Sequence, residues 1–252
     1  MGKRKETAHV ISQETLANDI YSMWIRTDIA GEALPGQFIS VYTKDASKLL
    51  PRPISICETG TDSLRIVYRT AGAGTKEFST YKAGDSIDIL GPLGNGFPLK
   101  DEPAILIGGG IGIPPMLELA KRLKGDKTIV VGYRDADTFL DKELAEFGRV
   151  VIATDDGSLG VKGNVIDAIR EWQVTGNVIY ACGPTPMLRG VKAYAEEKGI
   201  EAYVSLEERM ACGVGACLGC VCKTTDIDEH SKVKNSRICK DGPVFKASEV
   251  EI

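Results

Sequence analysis

The amino-acid sequence predicts a β barrel followed by a doubly wound α/β domain and a small cysteine-rich C-terminal segment. Three observations carry this expectation. Short β-branched and aromatic runs separated by turn residues fill the chain up to about Leu90, strand-like and helical stretches alternate from Pro103 to Glu207, and four of the seven cysteines fall within residues 212–222. The expected divisions are residues 1–100, 101–208 and 209–252.

In the first part the runs "HVISQ", "YSMWIRT", "QFISVYT", "PISICE", "LRIVYR" and "SIDIL" read as strands of a small antiparallel barrel or sandwich, interrupted by one helix at "TKEFSTY". In the second part "AILIGGG", "TIVVGYR", "VVIATDD", "NVIYACG" and "EAYVSLE" read as strands. The stretches between them, such as "PPMLELAKRLK" and "PTPMLRGVKAYAEEKG", read as helices, which is the pattern of a parallel doubly wound sheet. Met116, Leu117, Ala120 and Leu123 recur at helical spacing and are expected to pack on that sheet. From Met210 onward the chain is too poor in apolar residues to hold a core unaided, so a bound group is expected to organise it.

Composition narrows the function classes. A chain of 252 residues that is 43% hydrophobic and 26% charged can bury a substantial core. Its formal charge of -4 supplies no basic field for nucleic acid or an anionic membrane surface. No apolar run reaches the roughly 18 residues of a membrane helix, and Met1 to Val10 is polar, so a cytoplasmic location is expected. In that reducing compartment clustered cysteines more often hold metal than form disulfides, and their odd number argues against a closed disulfide framework.

The cysteines at 212, 217, 220 and 239 are spaced C-x4-C-x2-C-x18-C, the spacing associated with plant-type [2Fe-2S] centres. Gly213, Gly215 and Gly219 can take the positive φ angles needed to turn backbone N–H groups toward sulfur, and the short Ala211 and Ala216 leave room. Structural zinc is the alternative, although only Cys217 and Cys220 form a C-x2-C knuckle. Cys222 reads as a spare packed thiol and Cys57 as core.

Two segments of the barrel suggest a bound dinucleotide. "RPISI" places Arg52 and Ser55 on a proline-stiffened strand, and arginine offers a planar fork suited to pyrophosphate. "GAGT" puts Gly72, Gly74 and Thr75 before a helix, where free N–H groups favour an anion. In the α/β half, "GGGIGIPPM" stands at the end of the first strand, where doubly wound sheets bind nucleotides, and "CGPTPM" ends a later strand on the same edge. An ordinary strand and glycine turn would explain either barrel segment alone. Asp135 and Asp137 follow the second strand of this half and would repel a 2'-phosphate, favouring NAD over NADP.

With these motifs assembled, the chain resembles the ferredoxin-NADP reductase superfamily over nearly its whole length. The appended "CGVGACLGC" and "CKDGPVF" are similar to those of the iron-sulfur electron-transfer subunits of NAD-dependent dihydroorotate dehydrogenases. This resemblance implies that Arg52, Pro53, Ile54 and Ser55 line FAD, that Val67, Tyr68 and Arg69 flank it, and that Gly74 and Thr75 hold its pyrophosphate. It implies NAD at Gly109, Gly110, Gly112, Cys182, Gly183 and Pro184, and a [2Fe-2S] cluster on Cys212, Cys217, Cys220 and Cys239. The implied partner is an FMN-containing catalytic subunit that oxidises dihydroorotate to orotate in pyrimidine biosynthesis, in a heterotetramer with two copies of each. A sister subunit of another NAD(P)H-linked complex, or a non-enzymatic redox-sensing module, is the alternative. One departure from the plant reductases is the ending "SEVEI", which lacks the terminal aromatic that stacks on their flavin.

A set of NAD, flavin and iron-sulfur centre has its own logic, since nicotinamide carries electrons in pairs and the cluster carries them singly. No acid or base for carbon chemistry is evident. His9 and His230, the only histidines, are expected at the surface.

Overall fold

A computed structural model describes residues 2–45, 47–227 and 232–252; His230 lies outside them. The first sheet contains β1 (Arg4–Ala17), β2 (Ile20–Arg26), β3 (Phe38–Val41), β4 (Arg52–Thr59), β5 (Ser63–Arg69) and β6 (Ser86–Leu93), with α1 (Ala73–Phe78) between β5 and β6. These six strands close into an antiparallel barrel in the order β1-β2-β5-β4-β3-β6. Closure leaves no free sheet edge. Strand alternation sets the two faces: Ile39, Val41, Ile54, Ile56, Leu64, Ile66 and Tyr68 fill the interior, so Phe38, Ser40, Pro53, Ser55 and Val67 face outward.

The second sheet follows β7 (Ala104–Gly109), α2 (Pro115–Arg122), β8 (Lys127–Tyr133), α3 (Asp141–Leu144), β9 (Arg149–Thr154), β10 (Val161–Lys162), α4 (Val165–Glu171), β11 (Val178–Cys182), α5 (Thr185–Lys198) and β12 (Glu201–Ser205). Its order is β10-β9-β8-β7-β11-β12, with a last strand of the tail, β15 (Val244–Lys246), beside β12. The chain runs outward from β7 through β8, β9 and β10, then returns to the other side of β7 with β11. The crevice where this order reverses lies between the ends of β7 and β11, the position at which open α/β sheets receive ligands.

The tail contributes β13 (Val221–Lys223), β14 (Asn235–Arg237) and β15 (Val244–Lys246). Here the structure departs from the sequence expectation in two ways. The last strand, β15, pairs antiparallel with β12 through Tyr203↔Lys246 and Ser205↔Val244, so the sheet is not wholly parallel. The tail also shares the α/β core, burying Ile238, Cys239, Phe245 and Val250 against Val204, Val191 and Ala202. A three-residue stretch, Val-Phe-Lys after a glycine-proline turn, is too short to signal a strand without its partner edge.

Paired charges pin the barrel to the α/β half. Arg65, only 4% exposed, donates to Ser22 Oγ at 2.8 Å and to Glu143 Oε1 on α3 at 3.2 Å. Glu118 of α2, 1% exposed, accepts from Thr59 N at 3.0 Å, Thr59 Oγ1 at 2.8 Å and Arg122 Nε at 2.7 Å. Buried charges persist only when paired in this way, and removing one partner costs about 3–5 kcal/mol. The barrel and the α/β half are therefore held in a fixed relation.

Glu201 ties three parts of the chain, forming ion pairs with Lys100, which follows the barrel, and with Lys246 of β15 at 2.8 Å. Hydrogen bonds from Lys100 and then Lys246 hold its carboxyl at about 2, below the usual 4.5. The folded-state value is depressed, so this stabilisation is complete above pH 4.5 and is lost as pH falls toward 2. In thermal denaturation, wild type is expected to exceed Glu201→Gln at pH 6, with the difference closing as the pH approaches 2.

Candidate functional site

The barrel motifs meet where β4 begins. A Cβ placed on Gly74 would come within 2.6 Å of Arg52 Cζ, so the Arg52 guanidinium lies directly over the glycine loop. "RPIS" and "GAGT", separate in sequence, thus form one cationic corner. Arg52 also donates to the Leu50 carbonyl. The Thr75 hydroxyl accepts from Ala71 N at 2.9 Å and Gly72 N at 3.2 Å, which shapes the loop ahead of α1. Pro53 and Ser55 face outward from β4. Ile54 and Tyr68 point into the barrel, so only their backbones reach the outer face, and Tyr68 gives its hydroxyl to Gln13 at 2.7 Å. Val67 faces outward but is buried among α/β residues.

Arg69 extends from the end of β5 toward the glycine turn of the other half, with its Nη2 3.7 Å from the position a Cβ on Gly110 would take. That turn is held against the end of β11. A Cβ on Gly112 would lie 2.5 Å from the Cys182 carbonyl carbon and 2.6 Å from Gly183 Cα, so no side chain fits there. The Met187 thioether covers Gly109 and Gly183 from α5, a contact that no local spacing in the chain signals. Gly109, Gly110, Gly112, Cys182, Gly183 and Pro184 therefore line one crevice. Burial pushes the Cys182 thiol up to about 12, leaving it neutral. Of the two acids after β8, Asp137 is occupied by Asn18 N at 2.8 Å, and Asp135 accepts from Asp137 N at 2.9 Å.

The four cysteines fall into two neighbouring pairs: Cys217 is close enough to Cys212, and Cys220 to Cys239, to shift the other's titration. Backbone N–H groups turn inward as expected: Cys212 Sγ accepts from Ala216 N at 3.3 Å and Val214 N at 3.5 Å, while Cys220 Sγ accepts from Cys239 N at 3.4 Å. Burial raises Cys212, but the donors outweigh it and bring the thiol down to about 6. Burial, with Cys220 as hydrogen-bond partner, pushes Cys239 up to about 12.

Gly213 (φ 68°) and Gly215 (φ 86°) adopt left-handed conformations. Gly219 does not; the third left-handed residue is Leu218 (φ 56°). A Cβ at Gly219 would sit 3.4 Å from the Cys217 sulfur, an ordinary contact.

Arg237, beside the fourth cysteine, pairs with Asp241 through contacts of 2.9 and 3.2 Å and donates to the Gly215 carbonyl at 3.4 Å. It thereby fastens the distant cysteine to the loop, and its i, i+4 spacing from Asp241 was a signal available in the sequence. Two pairs of soft thiolates, with peptide N–H groups directed at sulfur, fit a binuclear iron-sulfur cluster.

Cys222 stands outside this set on β13, its thiol pushed up to about 11 by burial. Cys57 is fully buried in core, and His9 is exposed on β1. Among the described residues no helix is long and apolar enough to cross a membrane.

Comparison with known proteins agrees with this geometry. The family model described as the iron-sulfur cluster binding domain of dihydroorotate dehydrogenase B matches residues 207–251. The dihydroorotate dehydrogenase B (NAD(+)) electron transfer subunit of Listeria monocytogenes serotype 4a (strain HCC23) is 44% identical over 96% of this chain and 97% of its own. The subunit of that name from Bacillus velezensis is also 44% identical, over 99% and 100%. A solved NADH-dependent reduced ferredoxin-NADP oxidoreductase, described in the context of flavin-based electron bifurcation, superposes with a TM-score of 0.87 at 30% identity. That match covers 97% of this chain and 89% of the other. A ferredoxin NADP+ reductase from Neisseria gonorrhoeae with bound FAD and NADP shares the fold, with a TM-score of 0.65 at 16% identity over 81% and 94% of the two chains.

Proposed function

The chain belongs to the dihydroorotate dehydrogenase B electron-transfer subunits, and from that premise we propose how its own residues carry the activity. It is an oxidoreductase subunit that uses FAD, a [2Fe-2S] cluster and NAD. Bound together, these groups join the one-electron chemistry of the cluster to the two-electron chemistry of nicotinamide.

The chain's task is placement. Arg52, over Gly74, neutralises the FAD pyrophosphate, and Thr75 fixes the loop that receives it. Pro53 and Ser55, with the backbones of Ile54, Val67 and Tyr68, offer a rigid outer wall for the flavin ring. Arg69 stands between that wall and the glycine turn. Gly109, Gly110 and Gly112, with Cys182, Gly183 and Pro184, let NAD approach the backbone closely at the switch point. Asp135 and Asp137 disfavour a 2'-phosphate. Cys212 and Cys217 hold one iron, Cys220 and Cys239 the other. The chain's last residue, Ile252, packs against the core shared with the tail.

Electrons come from a partner, an FMN-containing subunit that oxidises dihydroorotate in the cytoplasm, two copies of each chain forming the assembly. The cysteine tail is its docking face. Val214, Leu218 and Val221 beside the cysteines are 38%, 54% and 40% exposed, an apolar group whose burial a partner would favour. The observation that carries this reading is that the loop bearing Cys212, Cys217 and Cys220 packs against the barrel at Ser40 and Leu93, with the Cys239 N–H directed at the Cys220 sulfur. Co-purification with the partner, followed by an assay of dihydroorotate-dependent NAD+ reduction, tests it. Activity lost when the tail is mutated at Leu218→Asp, with flavin and iron retained, supports docking there; full activity and an intact complex would contradict it.

A further inference from the structure

Ser40 is fully buried on β3, and among the described residues its Oγ is the buried side-chain polar atom that no hydrogen bond satisfies. Its neighbours on β3, Ile39 and Val41, point into the barrel, so Ser40 points outward. It lies directly across from Pro53 of the flavin-facing strand. On its other side stands the cysteine loop: a Cβ on Gly213 would be 3.1 Å from Ser40 Oγ and 3.2 Å from Leu93 Cδ1. The hydroxyl thus sits at the seam between the flavin wall and the residue that follows Cys212.

A buried hydroxyl with no partner is unfavourable, and an apolar residue of similar size would remove the penalty. The position makes sense when an electron-rich acceptor lies beside Gly213. We infer that Ser40 is a positioning residue of the electron-transfer path, its hydroxyl donating a hydrogen bond to a sulfur of the bound cluster beside Gly213. This rests on the reading of the tail as a [2Fe-2S] site. Hydrogen bonds to sulfur stabilise the more negative, reduced state, so the donor raises the cluster's potential and favours the electron residing there.

The test is an EPR-monitored redox titration of the co-purified complex, comparing wild type with Ser40→Ala. The variant is expected to keep its iron and FAD. The reduced-to-oxidised ratio of the cluster at a fixed potential should fall about three- to tenfold, tenfold being 59 mV for one electron. Ser40→Cys keeps the volume with a weaker donor and should fall between the two; it carries the test if the alanine variant does not assemble. An unchanged cluster potential, or a shift confined to the flavin, would overturn the assignment. A wild-type complex without an iron-sulfur EPR signal would instead refute the cluster reading on which it rests.

Discussion

Cys220→Ser is expected to empty the tail of iron and acid-labile sulfide. Cys220 is 2% exposed, pairs with Cys239, and accepts the Cys239 N–H at 3.4 Å, so its sulfur joins the loop to the distant ligand. Serine offers a harder, shorter donor that cannot replace a thiolate around iron. Cluster binding and local folding are one equilibrium in such a segment. The β13-β14 ladder has only three residue pairs, Val221↔Arg237, Cys222↔Ser236 and Lys223↔Asn235, too little to order the tail alone. Dihydroorotate-dependent NAD+ reduction should fall below about 1% of wild type, because metal binding sets the folding of the site that would pass electrons from the partner to the flavin. NADH oxidation by an artificial acceptor such as ferricyanide should survive, since the glycine turns after β7 and β11 make their close contacts with each other and with Met187, not with the cysteine loop. Iron and sulfide analysis with the two assays side by side checks both halves of the expectation.

Gly112→Ala should produce the opposite pattern. The added methyl would meet the carbonyl carbon of Cys182 at 2.5 Å and Gly183 Cα at 2.6 Å, and both are backbone atoms that no rotamer change can move aside. The turn must shift away from β11, opening the crevice between the two glycine loops. Displacements of about 1 Å around a reacting group cost about 100-fold in rate. Flavin reduction by NADH, followed by stopped flow, should slow by about that factor, while FAD, iron and sulfide contents stay at wild-type levels. The contrast with Gly74 is instructive. There the neighbour is the Arg52 guanidinium, a flexible end that can give way, so Gly74→Ala should weaken FAD retention more mildly.

Most of the fold was legible because the hydrophobic period changes from two to nearly four near Pro103, and each change in period marks a change of architecture. The same is true of the ligand cysteines, whose spacing is a local property of the chain. What the sequence did not reveal depends on distant neighbours. β15 forms because β12 offers an edge. The approach of Cys239 to Cys220 needs Arg237 and Asp241 to bring the far cysteine to the loop. Placing the third left-handed turn at Leu218 rather than Gly219 ran against the usual preference of that conformation for glycine. Ser40 is a small polar residue at an outward strand position, which in most barrels faces water; only the cysteine loop folded against it gives it a role.

The proposed function requires a thiolate-bound cluster and a flavin close enough for electrons to pass directly between them. Anaerobic titration of the purified protein with NADH, followed by absorbance and low-temperature EPR, tests this requirement. Flavin bleaching should be accompanied by the signal of a reduced [2Fe-2S] centre, and both should be restored by oxidant. A flavin fully reduced by NADH beside a cluster that stays oxidised, yet is readily reduced by dithionite, would contradict it.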